Sequence, residues 1–258
     1  MIKAIFFDID GTLVSFKTHR IPASTIEAVK EVRRKGIKVF IATGRPMPFV
    51  NNLEGLEYDG IMSVNGAFAA TSDGTIIYRN LVSKDDIDRI IEHRREHPMP
   101  IVFASDKEVF SVDCEAAVQA VEEVFTLLDL TFPAAKPIEE AKNMDVLQVI
   151  AFFPQAEEPY MMSEVLKGCD ALRWHPAFAD CIVKGTNKAV GIDKVCEYYG
   201  FDISETMAFG DGGNDIEMLQ HAGIGVAMGN ASDEVKQYAD RVTASVDEDG
   251  VALMLRTI

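Results

Sequence analysis

The chain carries five short apolar runs, and each stops on a small or polar residue. Ala4–Phe7 leads into Asp8 and Asp10, and "IKVFIA" into Thr43 and Gly44. "GIMSV" leads into Asn65 and Gly66, "TMAF" into Gly210 and Asp211, and "GIGVAM" into Gly229 and Asn230. Uninterrupted runs of this length predict strands covered on both faces. Helical patterns separate them. "PASTIEAVKEVRRKG" has Ser24 and Glu27 in capping-box spacing and Gly36 as a stop. "KAVGIDKVCEYYG" puts Ile192, Val195, Cys196 and Tyr199 on one helical face and ends at Gly200. Strands alternating with helices over short connections predict an α/β fold, a doubly wound parallel-sheet core of Rossmann-like type.

The middle of the chain reads differently. Helices are expected in "DDIDRIIEHRREH", "EAAVQAVEEVFTLLD" and "YMMSEVLKG", and strands in "PIVFAS", "EVFSV", "DVLQVIAFF" and "ALRW". The first two of these strands are joined by "SDK", which suggests a hairpin and an antiparallel or mixed sheet. No strand here ends in the acid-or-hydroxyl-plus-glycine chemistry of the flanks. The expected organisation is a core in two parts, residues 1–82 and 184–258, interrupted by an inserted α/β cap domain over 83–183.

A length of 258 residues suffices for such an arrangement, and 48% hydrophobic with 26% charged residues is ordinary for a globular protein. The formal net charge of −16 argues against sequence-independent nucleic-acid binding and against anionic membranes. No apolar run approaches the ~20 residues of a bilayer span. Cys114, Cys169, Cys181 and Cys196 form no C-x-x-C pair and read as free thiols. The N-terminus is too short and acidic for a signal peptide, so a cytoplasmic location is expected.

The acids at the strand ends change the picture most. Ligands of open parallel sheets bind beyond the carboxyl ends of the strands. There the sequence places Asp8 and Asp10, then Thr43, then Asp211, Asn214 and Asp215, with Lys188 opening a helix. Alternate strand residues point the same way, so Asp8 and Asp10 are expected close together. At ~4 Å and an effective dielectric of ~20 two such charges repel by roughly 4 kcal/mol, which calls for a proton or a cation. Several carboxylates with backbone oxygens suit Mg²⁺, and a hydroxyl and a lysine beside it suit a phosphoryl group. Lys188 opposes the dipole of its own helix, a cost that an acidic cluster and an anionic substrate would offset.

"FFDIDGTL", "IATGR", "VKGTNKAVGI" and "FGDGGNDIEML", taken in order, closely resemble the four motifs of haloacid dehalogenase-like phosphatases. The similarity is to the Cof-type branch, subfamily IIB, whose α/β cap follows the third core strand. The resemblance implies Mg²⁺-dependent hydrolysis of small phosphomonoesters, with sugar phosphates as the expected substrates. It implies that Asp8 attacks phosphorus to form an aspartyl-phosphate and that Asp10 serves as general acid and base. Thr43 would bind phosphoryl oxygens and Lys188 would neutralise charge, its spacing favouring it over Lys184. Mg²⁺ would be held by Asp8, the Asp10 backbone carbonyl and Asp211, with Asp215 close by. Gly44, Arg45, Asn65 and Asn214 are the expected substrate-binding residues, although Arg45 equally suits a structural ion pair. A phosphosugar mutase and a non-catalytic phosphosugar-binding module remain alternatives.

Other patterns invite blander readings. His93-Arg94-Arg95-Glu96-His97 spells an inverted zinc-protease signature, but at a charged helix end before Pro98 it reads as a solvated terminus. Asp247 and Asp249 read as a solvated acidic turn. Gly223 and Gly225 fail the dinucleotide fingerprint because Met228 holds the sixth position. In "RWHPAFADC", Arg173 reads as a surface residue and Trp174 as cap core, with one side chain of the segment expected to face substrate.

Overall fold

The N-terminal apolar run forms β1 (Ala4–Phe7), a central strand of the larger of two units. A computed structural model describes residues 1–113, 125–126 and 130–258. The helix expected over 115–129 and Cys114 therefore lie largely or wholly outside the described residues. The first unit contains Met1–Arg45, Val50–Tyr78 and Asn187–Ile258; the second contains Pro46–Phe49 and Arg79–Thr186.

In the first unit β1 is followed by α1 (Ala23–Arg34), β2 (Lys38–Ala42) and β3 (Gly60–Ser63). Two further strands, β4 (Phe68–Thr71) and β5 (Ile76–Arg79), extend the sheet. The sequence pattern did not mark them, since four residues, rich in alanine in β4 and only IIYR in β5, are too short to show a period. β4 returns antiparallel to β3, with Ser63 opposite Phe68. The reversal passes through Val64, Asn65 and Gly66, at φ 50°, 50° and 90°.

The capping box of α1 does not form. Pro22 holds the N-cap position, and the Ser24 hydroxyl donates to the Asp249 carboxylate instead. Proline's fixed φ pre-sets the helix entry without a side-chain cap.

The second unit opens with α2 (Lys84–Glu96), capped by Ser83, whose hydroxyl accepts from Asp86 N at 3.0 Å. Its five strands are β6 (Ile101–Ala104), β7 (Val109–Val112), β8 (Gln148–Ala151), β9 (Cys169–His175) and β10 (Phe178–Val183). They lie in the order β7-β6-β8-β10-β9, antiparallel throughout. One sheet face buries Ile101, Phe103, Phe110 and Val149 against Ile87, Ile90 and Ile91 of α2. "RWHPAFADC" is the turn of the β9–β10 hairpin rather than the end of a single strand. Arg173 is no surface residue: it donates to Glu158 and to the carbonyls of Pro176 and Phe178, and stacks on Phe153. Trp174, expected in the core, is 51% exposed, and its indole N–H donates to Asp180 at 2.9 Å.

The chain then returns to the first unit with α3 (Lys188–Tyr199), β11 (Thr206–Gly210), α4 (Ile216–His221), β12 (Ile224–Ala227), β13 (Arg241–Val242) and α5 (Gly250–Leu255). The eight strands run β13-β12-β11-β1-β2-β3-β4-β5. Phe6 and Phe40 stack on one face at 5.0 Å, and Phe7 and Phe209 on the other at 4.8 Å. Ile192, Val195 and Cys196 of α3, with Met218 and Leu219 of α4, cover the first face. α1 and α5 pack together and contribute buried Val29, Val32, Val251 and Leu255. The parallel register aligns Phe7 with Ile41 and Phe209. Asp8, Thr43 and Asp211 therefore leave the sheet at one edge.

Cys169, Cys181 and Cys196 are free and buried, and burial raises the Cys169 thiol to about 12 and Cys196 to about 11. Among the described residues no helix is long and apolar enough to cross a membrane.

Candidate active site

Asp8 is the first residue beyond β1, and its N–H donates to Phe209 O at 3.0 Å, so β11 fixes its backbone. Lys188 opens α3, whose N-cap Asn187 accepts from Val190 N at 3.0 Å. The Lys188 ammonium, fully buried, donates to Asp8 Oδ1 and to Asp215 Oδ1, both at 2.6 Å. Burial alone would favour loss of its proton; Asp215 and Asp8 outweigh that and raise its pKa above the ordinary lysine value. Asp215 Oδ2 accepts from Asp211 N and Gly212 N, each at 2.9 Å. Those bonds lock the turn after β11.

The carboxylates of Asp8, Asp211 and Asp215 offer oxygens within 4.8 Å of one another. Burial raises Asp8 well above the carboxylate range against the pull of Lys188, and Asp215, Asp211 and Asp10 add to the rise. Burial and then Asp215 raise Asp211 to about 7. One ammonium does not balance three acids here. Oxygen donors with uncompensated negative charge fit a hard divalent cation such as Mg²⁺.

Asp10 behaves otherwise than its spacing suggested. Its carboxylate is gripped by Arg45, with Nε to Oδ2 at 2.7 Å and Nη2 to Oδ1 at 2.6 Å. It is not part of the carboxylate cluster. Each of the two neighbouring acids has its own cation, which offsets their repulsion without abolishing it. Arg45 is buried, and its N–H donates to Thr43 Oγ1 at 3.0 Å. Thr43 itself is buried and donates its N–H to Met62 O at 2.9 Å.

Asn65 and Asn214 meet above Gly44. Asn214 Nδ2 donates to Asn65 Oδ1 at 2.8 Å, and a Cβ on Gly44 would lie 3.1 Å from Asn65 Oδ1. Val64 N and Asn65 N donate to the carbonyls of Arg45 and Thr43, pairing the two loops. Lys184 is exposed and belongs to the second unit, whereas Lys188 reaches Asp8.

Two residues that the sequence marked only as a strand end and part of a motif also reach the site. Thr12 donates to Asp211 Oδ1 at 2.9 Å, and Asn230 donates to Asp211 Oδ2 at 3.0 Å. Gly11, between Asp10 and Thr12, has φ +88°, and a Cβ there would lie 2.1 Å from Asp211 Oδ2. That close approach needs glycine. The remaining patterns are structural. His93 and His97 stack face to face at 4.5 Å, and neither joins a group of potential metal ligands among the described residues. Asp247 is more than a solvated turn: it accepts from Ser15 Oγ at 2.6 Å and pairs with Lys17 at 2.6 Å. Gly225 packs against Leu219 of α4 and plays no part in the site.

Known proteins resemble the chain over nearly its whole length. YkrA of Bacillus subtilis is 37% identical over 258 residues, covering 99% of this chain and 97% of its own length. The 5-amino-6-(5-phospho-D-ribitylamino)uracil phosphatase YitU of the same organism is 31% identical, covering 98% of this chain and 96% of its own. The solved structure of the HAD subclass IIB sugar phosphatase BT4131 is 40% identical with a TM-score of 0.86, covering 99% of this chain and 98% of that one. The family model of the haloacid dehalogenase-like hydrolases matches residues 5–255, and the chain belongs to that family.

Proposed function

We propose that the protein is a phosphomonoesterase that hydrolyses small phosphorylated metabolites, sugar phosphates foremost, with Mg²⁺ as cofactor. The observation that carries this reading is Asp8, held by the buried ammonium of Lys188 beside Asp211 and Asp215. The similarity to a sugar phosphatase and to a ribitylaminouracil phosphatase supports the substrate range.

An oxygen of Asp8 attacks phosphorus, and the bond from phosphorus to the ester oxygen breaks. Asp10 donates its proton to the departing oxygen. Arg45 aims the Asp10 side chain with its fork, and the bond to one carboxylate oxygen gives way when that oxygen carries the proton. The aspartyl-phosphate is then attacked at phosphorus by water, whose proton returns to Asp10, and phosphate leaves with Asp8 regenerated. Lys188 offsets negative charge at Asp8 throughout. Thr43 Oγ1 accepts from Arg45 N–H, which fixes the oxygen and leaves its O–H to donate to a phosphoryl oxygen. Gly44, Asn65 and Asn214 line the same loops and contact the substrate. Mg²⁺ would be held by Asp8, the Asp10 carbonyl and Asp211, with Asp215 supporting, and would supply charge neutralisation between nucleophile and phosphoryl group. The second unit, Pro46–Phe49 and Arg79–Thr186 where 83–183 was expected, acts as the cap that selects the leaving group.

The test is phosphate release from a panel of sugar phosphates, nucleotides and aryl phosphates, with Mg²⁺ or EDTA, beside Asp8→Asn. Metal-dependent release that falls at least ~10³-fold in the variant is expected. A folded, metal-loaded protein that hydrolyses none of the panel overturns the reading.

A further inference from the structure

Four carboxylates meet at the site, and they are not held alike. Asp8 and Asp215 share the ammonium of Lys188, and Asp10 has the guanidinium of Arg45. The hydrogen bonds to the Asp211 side chain come from neutral groups, Thr12 Oγ1 on Oδ1 and Asn230 Nδ2 on Oδ2. A neutral donor orients a carboxylate without cancelling its charge. Of the four, Asp211 is the acid whose direction is fixed while its charge stays available.

Asn230 gives that orientation its anchor. Its Nδ2 also donates to Gly11 O at 2.9 Å, and its Oδ1 accepts from Val246 N at 3.0 Å. Both ends of the amide are engaged, so a flip would break all three bonds. The amide therefore joins the loop after β1, the turn after β11 and the turn that precedes α5. That last turn is itself fastened: Asp247 accepts from Ser15 and Lys17, and Asp249 from Ser24. A chain of hydrogen bonds runs from the outer face of α1 to the carboxylate of Asp211.

We propose that Asn230 is a positioning residue for the metal centre, holding the Asp211 carboxylate with Thr12 in the orientation from which it binds a divalent cation. The proposal rests on the metal-dependent reading above and adds the residue that pre-organises it. Groups behind a metal ligand commonly change affinity ~10–100-fold when removed. Asn230 is exposed, so water replaces part of what it does, and the lower end of that range applies.

The experiment is titration of the full chain with Mn²⁺, followed by electron paramagnetic resonance, for wild type, Asn230→Ala and Val246→Pro. Val246→Pro leaves Asn230 in place and deletes the N–H that anchors it. Ser245 at φ −67°, ψ 164° tolerates a following proline. Mn²⁺ affinity is expected to fall about tenfold in Asn230→Ala and about threefold in Val246→Pro. Thermal melts without metal should remain cooperative, shifted down by the lost hydrogen bonds and, in Val246→Pro, by the lost buried valine, and kcat should recover at saturating metal. Wild-type affinity in either folded variant overturns the positioning role. A wild type that binds no Mn²⁺ overturns both this role and the metal-dependent reading. A wild type that binds Mn²⁺, loses affinity in the variants and releases no phosphate sinks hydrolysis alone and leaves the positioning role standing.

Discussion

Lys188 and Arg45 divide three of the four acids between them, and the division assigns their work. Lys188 sits between two carboxylates as a point charge; Arg45 grips one with two parallel bonds. A lysine cannot reproduce that fork. Arg45→Lys should therefore lower kcat about 10–100-fold, up to the lower end of what general acid–base catalysis contributes because lysine still holds Asp10 by one bond, with KM changing less than about twofold. Steady-state kinetics on the best substrate decides it: a raised KM at unchanged kcat would show that Arg45 binds substrate instead. Asp8, Asp10 and Asp211 were legible because they stand at the ends of apolar runs, beside the turn glycines Gly11, Gly210 and Gly212. The Asp10–Arg45 pair was not, since 35 residues separate its members and Arg45 suited two partners equally. Asn230 was hidden for a different reason. An asparagine after Met228-Gly229 spells an ordinary turn, and only the fold brings it to Asp211.

At the scale of elements, the site depends on how loops seat against helix ends. Gly66 lies at φ +90°, and a Cβ there would come 2.4 Å from the Asn187 carbonyl. Asn187 caps α3, whose next residue is Lys188. Gly66→Ala would strain its own backbone and push the N-terminus of that helix. A loss of roughly 2–4 kcal/mol is expected, the size associated with special backbone positions and overpacking, with reduced activity alongside. Urea unfolding measures it; an unchanged midpoint would mean that the loop relaxes without moving α3. Elements followed the pattern where burial was two-sided, as in β1, β2 and β11. They departed from it where a competing partner or a short strand intervened. Ser24 and Glu27 spelled a capping box, yet Asp249 took the serine. β4 and β10 escaped because a run such as "FAAT" or "FADCIV" beside Gly or Pro reads as loop without its neighbours.

For the whole molecule, pH and charge are the relevant variables. Asp180 in β10 accepts from Trp174 and Gln148, and burial nevertheless raises it from 3.8 to about 6. Its folded pKa exceeds the unfolded value, so its proton is held more tightly in the folded state. Stability from this group is complete below about pH 4 and is lost as pH rises through about 6. A shift of about two units is worth roughly 3 kcal/mol, less about 1 for any hydrogen bond weakened by substitution. Asp180→Asn should thus stabilise the protein by about 1–2 kcal/mol at pH 8 and by little at pH 4. Gln148 assists, because its buried Oε1 has no hydrogen-bond partner and could turn toward the new amide. Denaturant unfolding at the two pH values checks this; equal shifts at both would show that Asp180 does not titrate in this window.

The carboxylate cluster bears on folding as well as chemistry. In the unfolded chain Asp8 lies far from Asp211 and Asp215 and all three are in water, whereas the fold gathers them beside the Lys188 ammonium. A cation taken up by that cluster binds the folded state alone. By mass action each tenfold rise in its free concentration beyond the dissociation constant adds about 1.4 kcal/mol to the unfolding free energy. On the metal-dependent reading proposed above, the same three acids would make the protein's resistance to denaturation a property of the ions around it, and chelation would loosen the fold as well as silence the site.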